Sequence, residues 1–254
     1  MATTPRARLY ALPASHPCAA VEAALKLKGI AYDRVDVLPL SQLLIGPLRY
    51  GGTTVPGLRL DGERLVGSRA IIRRLDELVP EPPLVPAPGD AAYATALEAE
   101  RWGDEVFQGI ARRLIDAAFV RRPSAMESYV GDARLPLPLS LLRPAMPITA
   151  RMLAAKYKAG DSAVRVDMAA LPGQLERIDA WIADGVLGGE APNAADLQIG
   201  STIRLLMSIG DVRPLIESHP AARLAGCFPP LVGGVPAGVL PAEWLPAQAG
   251  APIS

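Results

Sequence analysis

The short apolar run from Arg8 to Leu12, stopped by Pro13, predicts a β-strand. From Ser15 onward the spacing changes. Val21, Ala24, Leu25 and Leu27 fall at helical intervals, with Ser15 at the N-cap position and Pro17 in the first turn, where its missing N–H costs nothing. Lys26, Lys28 and Gly29 suit a helix end, Gly29 as a left-handed cap. Ile30 to Val37, where Val35 and Val37 alternate with charges, predicts a second strand. A strand, a helix and a strand within about 30 residues form a βαβ unit with a parallel pair. A short helix is expected near Ser41 to Ile45. Leu58 to Val66, turning at Asp61-Gly62, reads as a tight hairpin, and Ser68 to about Leu78 as a helix with Ile71, Ile72 and Leu75 facing inward.

The pattern then breaks. Pro82, Pro83, Pro86 and Pro88 crowd residues 81–89 into a semi-rigid linker. Beyond it the period is helical. One or two helices are expected from Asp90 to about Val120, and another from Asp167 to Ala183, where Pro172 is tolerable only within the first turns. Asn193 to Asp196 reads as a capping box that opens a further helix, and Pro214 to Leu224 as a last one. Arg121 to Pro147 is apolar, proline-broken and irregular, and Cys227 to Ser254 is a Pro/Gly-rich tail. The expected division is residues 1–80, an 81–89 linker, and 90–254.

Composition narrows the function classes. The 254 residues carry 26 basic and 26 acidic side chains, so the formal charge of zero argues against a nucleic-acid binder. Two cysteines are too few for a disulfide framework. The polar start, Met1 to Arg8, gives no signal-peptide pattern, and no apolar stretch approaches a membrane span. A cytoplasmic protein with no membrane partner is expected. Two histidines and two cysteines, all scattered, offer no metal-ligand spacing.

The chemistry concentrates at Ser15-His16-Pro17-Cys18, on the turn between the first strand and helix. A helix N-terminus presents free N–H groups and partial positive charge, which favour a thiolate over a thiol. Four features together are similar to the glutathione transferase superfamily: this turn, Thr54-Val55-Pro56 before the hairpin, Gly67-Ser68 before the third helix, and the Asn193 to Asp196 box. The resemblance covers most of the chain. It implies an α/β plus all-α architecture, with a thioredoxin-like N-terminal domain and an all-helical C-terminal domain. It also implies Ser15 as the residue that activates glutathione, or another low-molecular-weight thiol, for attack on a small electrophile. Thr54, Val55, Pro56, Gly67 and Ser68 are the implied thiol-binding set, with a cis peptide at Val55-Pro56, and His16 is a further ligand-contact candidate, though an exposed loop position is its plainer reading. Family members of this kind are homodimers, and the turn resembles bacterial zeta- and omega-like types.

The chain departs from the family at Gly67, where Glu or Gln usually precedes the serine. Cys18 matches the second cysteine of a redox pair whose first member is Ser15 here, and a buried packing role is its plainer reading. Two alternatives stay open at this level: a non-catalytic binding protein on the same fold, and a thiol-disulfide reductase using Cys18. Tyr10 reads as a core or interface aromatic. Trp102, Phe107, Arg112, Arg113 and the segment Leu135 to Met146 are wall candidates for the electrophile pocket.

Overall fold

The computed structural model describes residues 7–131 and 133–246. The polar start before residue 7 and the end of the tail after 246 lie outside them. The chain opens with β1 (Ala7–Ala11), α1 (His16–Leu27), β2 (Tyr32–Asp36) and α2 (Gln42–Arg49). It continues with β3 (Gly57–Leu60), β4 (Glu63–Val66) and α3 (Ser68–Leu78). The sheet order is β2-β1-β3-β4, with β1 parallel to β2 and antiparallel to β3. Asp61 and Gly62, both with positive φ, make the two-residue turn between β3 and β4. This is the βαβ-then-ββα order that the hydrophobic pattern predicts. Gly29 has φ of +63° and ends α1 as expected.

The rest is helical: α4 (Tyr93–Trp102), α5 (Gln108–Arg121), α6 (Leu139–Leu142), α7 (Met146–Lys156), α8 (Asp161–Ala183), α9 (Ala194–Met207) and α10 (Arg213–Glu217). One π-helical turn, Gly103–Phe107, joins α4 to α5. The last helix expected over Pro214 to Leu224 is broken: α10 stops at Glu217, and a 3-10 helix over Pro220–Cys227, with Pro220 in its first turn, follows it. Two further expectations need correction. α8 starts at Asp161 rather than Asp167, so Pro172 lies inside the helix and not in its first turns. The helix survives because Val164, Met168, Leu171, Leu175 and Ile178 bury a continuous stripe on both sides of the proline. The second correction is α7, which the prolines near residue 147 obscure. Pro147 occupies its first turn, where no N–H is required.

One core lies between the sheet and α1 and α3, built on Leu9, Val21, Leu25, Leu58, Ile71, Ile72 and Leu75. A larger one fills the helical part around Phe107, Leu114, Met168, Leu171, Leu175 and Ile203. Ala194 and Leu197 of α9 join the first core, so α9 is the element that fastens the two parts together. Its capping box forms as read: Asp196 N–H donates to Asn193 Oδ1 at 3.0 Å and Asn193 N–H to Asp196 Oδ2 at 2.9 Å. Lys28, fully buried, donates to Asp76 at 2.6 Å and to the carbonyl of Pro82, tying the end of α1 to the proline-rich segment. Among the described residues, no helix is long and apolar enough to cross a membrane, and no cluster of His, Cys, Asp and Glu could hold a metal.

Candidate functional site

β1 ends at Ala11 and the chain turns through Pro13 and Ala14 into α1, which places Ser15 at the helix mouth. Ser15 N–H donates to the Leu12 carbonyl at 3.1 Å, and the Ser15 carbonyl accepts from Ala19. The side chain makes no capping hydrogen bond to the backbone of the helix. It is half-buried and lines a cavity of about 140 Å³. Val55 lines the same cavity, on the loop whose Val55-Pro56 bond is cis, as the resemblance implied. Neither the N–H nor the C=O of Val55 has a partner within the described chain, so both can pair with an added extended ligand.

His16 corrects the sequence reading most sharply. It is not an exposed loop residue. It opens α1, is 3% exposed, lines the cavity, and leaves Nε2 without a partner. Burial, helped by the positive charges of Arg112 and Arg204, holds its pKa well below the usual histidine range, so the ring is neutral at pH 7.

The remaining implied residues fall into two groups. Thr54 is exposed and Pro56 is buried, and neither lines the cavity. Gly67 N–H donates to the Pro56 carbonyl at 2.9 Å, and its φ of +89° explains the glycine: a side chain there would be strained. Ser68 is buried, and its hydroxyl donates to Gln198 Oε1 at 3.1 Å. Gln198 Oε1 also accepts from Gln108, whose own Oε1 accepts from Arg112. A polar seam therefore runs from Ser68 between the two parts of the chain to the cavity wall.

Cys18 sits inside the first core at 2% exposure. Burial pushes its thiol up to about 11, against hydrogen bonds from Ser15 and from the Leu12 backbone that act the other way. A thiol so placed is about one part in 10⁴ ionised at pH 7, which removes the basis for a redox nucleophile. Cys227 is exposed and free. Tyr10 is buried with its ring 5.1 Å from that of Tyr50.

Of the wall candidates, Arg112 lines the cavity. Trp102 and Phe107 instead stack on each other at 5.0 Å within the helical core, and Arg113 is paired with Asp167. Leu135, Leu139, Leu142 and Met146 line an adjoining apolar groove of about 300 Å³, which shares Leu12, Pro13, Pro39, Phe119, Tyr129 and Leu153 with the cavity. Sequence reasoning missed Gln42, Asp116 and Tyr157, all on the cavity wall. Asp116 did carry a signal: an acid on the inward stripe of a helix, one turn after Arg112.

Comparison with known proteins follows the same lines. Residues 9–83 match the family described as the N-terminal domain of glutathione S-transferase. That match spans the sheet-bearing first part of the chain. The whole chain shares the glutathione S-transferase fold with solved structures. Maleylacetoacetate isomerase from Anaeromyxobacter dehalogenans, with glutathione bound in its active site, is 23% identical, with TM-score 0.53 and coverage of 87% of this chain and 88% of that one. Maleyl pyruvate isomerase, a bacterial zeta-class glutathione S-transferase, is 19% identical, with TM-score 0.57 and coverage of 87% and 91%. FzlA from C. crescentus is 18% identical, with TM-score 0.59 and coverage of 94% and 97%. At these identities the likeness is one of fold. No curated protein sequence matches the chain.

Proposed function

We propose that this protein is a glutathione-transferase-like enzyme that activates a low-molecular-weight thiol for attack on a small electrophile. The observation that carries the reading is the Ser15 hydroxyl at the mouth of α1, which makes no capping hydrogen bond and shares one cavity with Val55 and the inner wall of the helical domain. A thiol sulfur placed there meets a hydroxyl donor, the free N–H groups of the first helical turn and the positive end of the helix dipole. All three favour its ionised form. The glutathione-bound isomerase of the same fold supports glutathione as that thiol.

Each unit by which the thiol pKa falls corresponds to about 1.4 kcal/mol of preferential thiolate binding. The rest of the rate comes from holding thiolate and electrophile in one enclosed space. The backbone of Val55 is the proposed partner of the thiol's peptide part. Ser68 and Gly67 contribute less in this chain, because the Ser68 hydroxyl is bonded to Gln198 and Gly67 has no side chain. The reading carries with it the homodimer and cytoplasmic location usual for such enzymes.

A thermal-shift panel tests it. Glutathione, or another low-molecular-weight thiol, is expected to raise the melting temperature of the wild type and to do so less for Ser15→Ala. Conjugation to chlorodinitrobenzene is expected to fall at least about tenfold in that variant, the loss of one hydrogen bond to a charged group. No thiol-dependent shift, or equal conjugation by both proteins, overturns the reading.

A further inference from the structure

A second groove, of about 510 Å³, follows the length of α1. Its floor is the stripe Ser15, Cys18, Ala19, Glu22 and Lys26, one helix face about 16 Å long. Arg34 of β2, Arg204 of α9 and the extended segment from Pro229 to Gly233 form the walls. A smaller cavity of about 170 Å³ adjoins it, and Ala19, Glu22, Lys26, Arg204 and Pro229 line both. These five residues are the neck between the two spaces. None of the charged residues of the groove lines the cavity that holds Val55.

Charge is left unbalanced at the neck. Glu22 and Lys26 stand four apart on α1, in the order that favours an ion pair along a helix. That pair does not form. Glu22 is taken across the sheet edge by Arg34, whose Nη1 lies 2.9 Å away, and Arg34 Nε donates to Asp36 at 2.8 Å. Lys26, which is exposed, therefore has no carboxylate partner among the described residues. Arg204 has none either, although it is half-buried. Its Nη1 donates to the Pro229 carbonyl at 2.8 Å, and its guanidinium lies 5.4 Å from the centre of the Phe228 ring. These contacts fix the group in place without cancelling its charge. Burial lowers its pKa, against the pull of Glu22. Lys26, Arg34 and Arg204 thus face only Glu22 and Asp36. A cation that has shed water and met no carboxylate gains from a bound anion.

We propose that this groove is a second ligand site, for a small molecule carrying a phosphate or carboxylate group. The anionic group sits at the neck with Lys26 and Arg204. The apolar part lies over Ala19 against Leu231 and Val232, the latter 88% exposed at the lip of the groove. Phosphate and carboxylate present the same kind of oxygen to a guanidinium and an ammonium. The space suits a compact ligand, since small-molecule pockets run from about 300 to 1,000 Å³. The site stands apart from the reading of Ser15 and holds whether or not a thiol binds.

Calorimetric titration of the whole chain tests it with phenyl phosphate, 3-phenylpropanoate and the uncharged 3-phenylpropanamide. At least one of the two anions is expected to bind with Kd below about 1 mM at low salt, and more weakly at high salt. The tighter of the two identifies phosphate or carboxylate as the preferred group. The amide is expected not to bind. Arg204→Met and Lys26→Met, which keep an apolar stem, are each expected to raise Kd at least about tenfold. Lys26 is exposed, so its variant decides the matter if Arg204→Met does not fold. Failure of both anions to bind below about 1 mM overturns the proposal, as does an amide that binds as tightly as the propanoate. So does a Kd unchanged in Lys26→Met. The same variant is expected to keep any thiol-induced melting shift of the wild type. Loss of that shift makes the groove part of the thiol site and overturns the claim of a second one.

Discussion

Substituting Asp116 by asparagine is expected to change the pH dependence of stability in a calculable way. Asp116 is buried on α5, and its native pKa of about 7 stands above the ordinary value of 3.8, chiefly through desolvation. Below about pH 4 the carboxyl is protonated in both folded and unfolded chains. Between that pH and about 7 the native state keeps a proton that the unfolded chain releases, so stability falls as pH rises through the window. The whole shift is about 3 pH units, or about 4 kcal/mol. Between pH 5 and pH 8 the part still to be lost is about 2 units, or about 3 kcal/mol.

Asparagine keeps the shape and does not titrate. The stability of wild type minus that of Asp116→Asn is therefore expected to drop by about 3 kcal/mol from pH 5 to pH 8, and the melting temperatures to diverge by roughly 6–12 °C. His16 works in the opposite sense. Its depressed pKa means that stability present above about 6.5 is lost as pH falls, but the effect is common to both proteins and cancels in the difference. Urea titrations at closely spaced pH values give the quantity directly. A difference that stays flat within about 1 kcal/mol refutes the assignment of a buried, neutral Asp116 and the solvation argument behind it.

Other expectations follow from the same physical picture. In native buffer at pH 7 an alkylating reagent should label Cys227 and spare Cys18, with two labels in denaturant, and mass spectrometry after protease digestion decides this; rapid native labelling of Cys18 would contradict its burial in the first core. Lys28→Ala should cost about 3 kcal/mol, because it leaves Asp76 and the Pro82 carbonyl without their buried cation, and the loss should appear in urea unfolding followed by tryptophan fluorescence.

The first domain and the start of α9 were legible in the sequence because their signals are local. The apolar run of β1, the Asp61-Gly62 turn, Gly29 and the Asn193–Asp196 box each act within a few residues. Helix α7 was not legible, since prolines on either side of Met146 read as breakers until Pro147 is seen in a first turn. Nor was the start of α8 at Asp161, ahead of the expected Asp167, because packing on both sides of Pro172 overrides the local preference. The Ser15 turn could be found from its setting, yet the burial of His16 could not, because the wall that covers it comes from α5 and the tyrosine after α7, about 100 residues and more further along. The bond from Ser68 to Gln198 spans 130 positions and has no sequence signature, so the partial loss of Ser68 as a ligand group emerges only from the fold.

The central claim is that the mouth of α1, with Ser15, favours a thiolate. Ultraviolet difference spectroscopy follows the thiolate band of bound glutathione as pH is varied. For the wild type the bound thiol is expected to ionise at least about one unit below the free value of about 8.5, and for Ser15→Ala to return toward it. A bound thiol that titrates at its free value in the wild type, or identically in both proteins, contradicts the account.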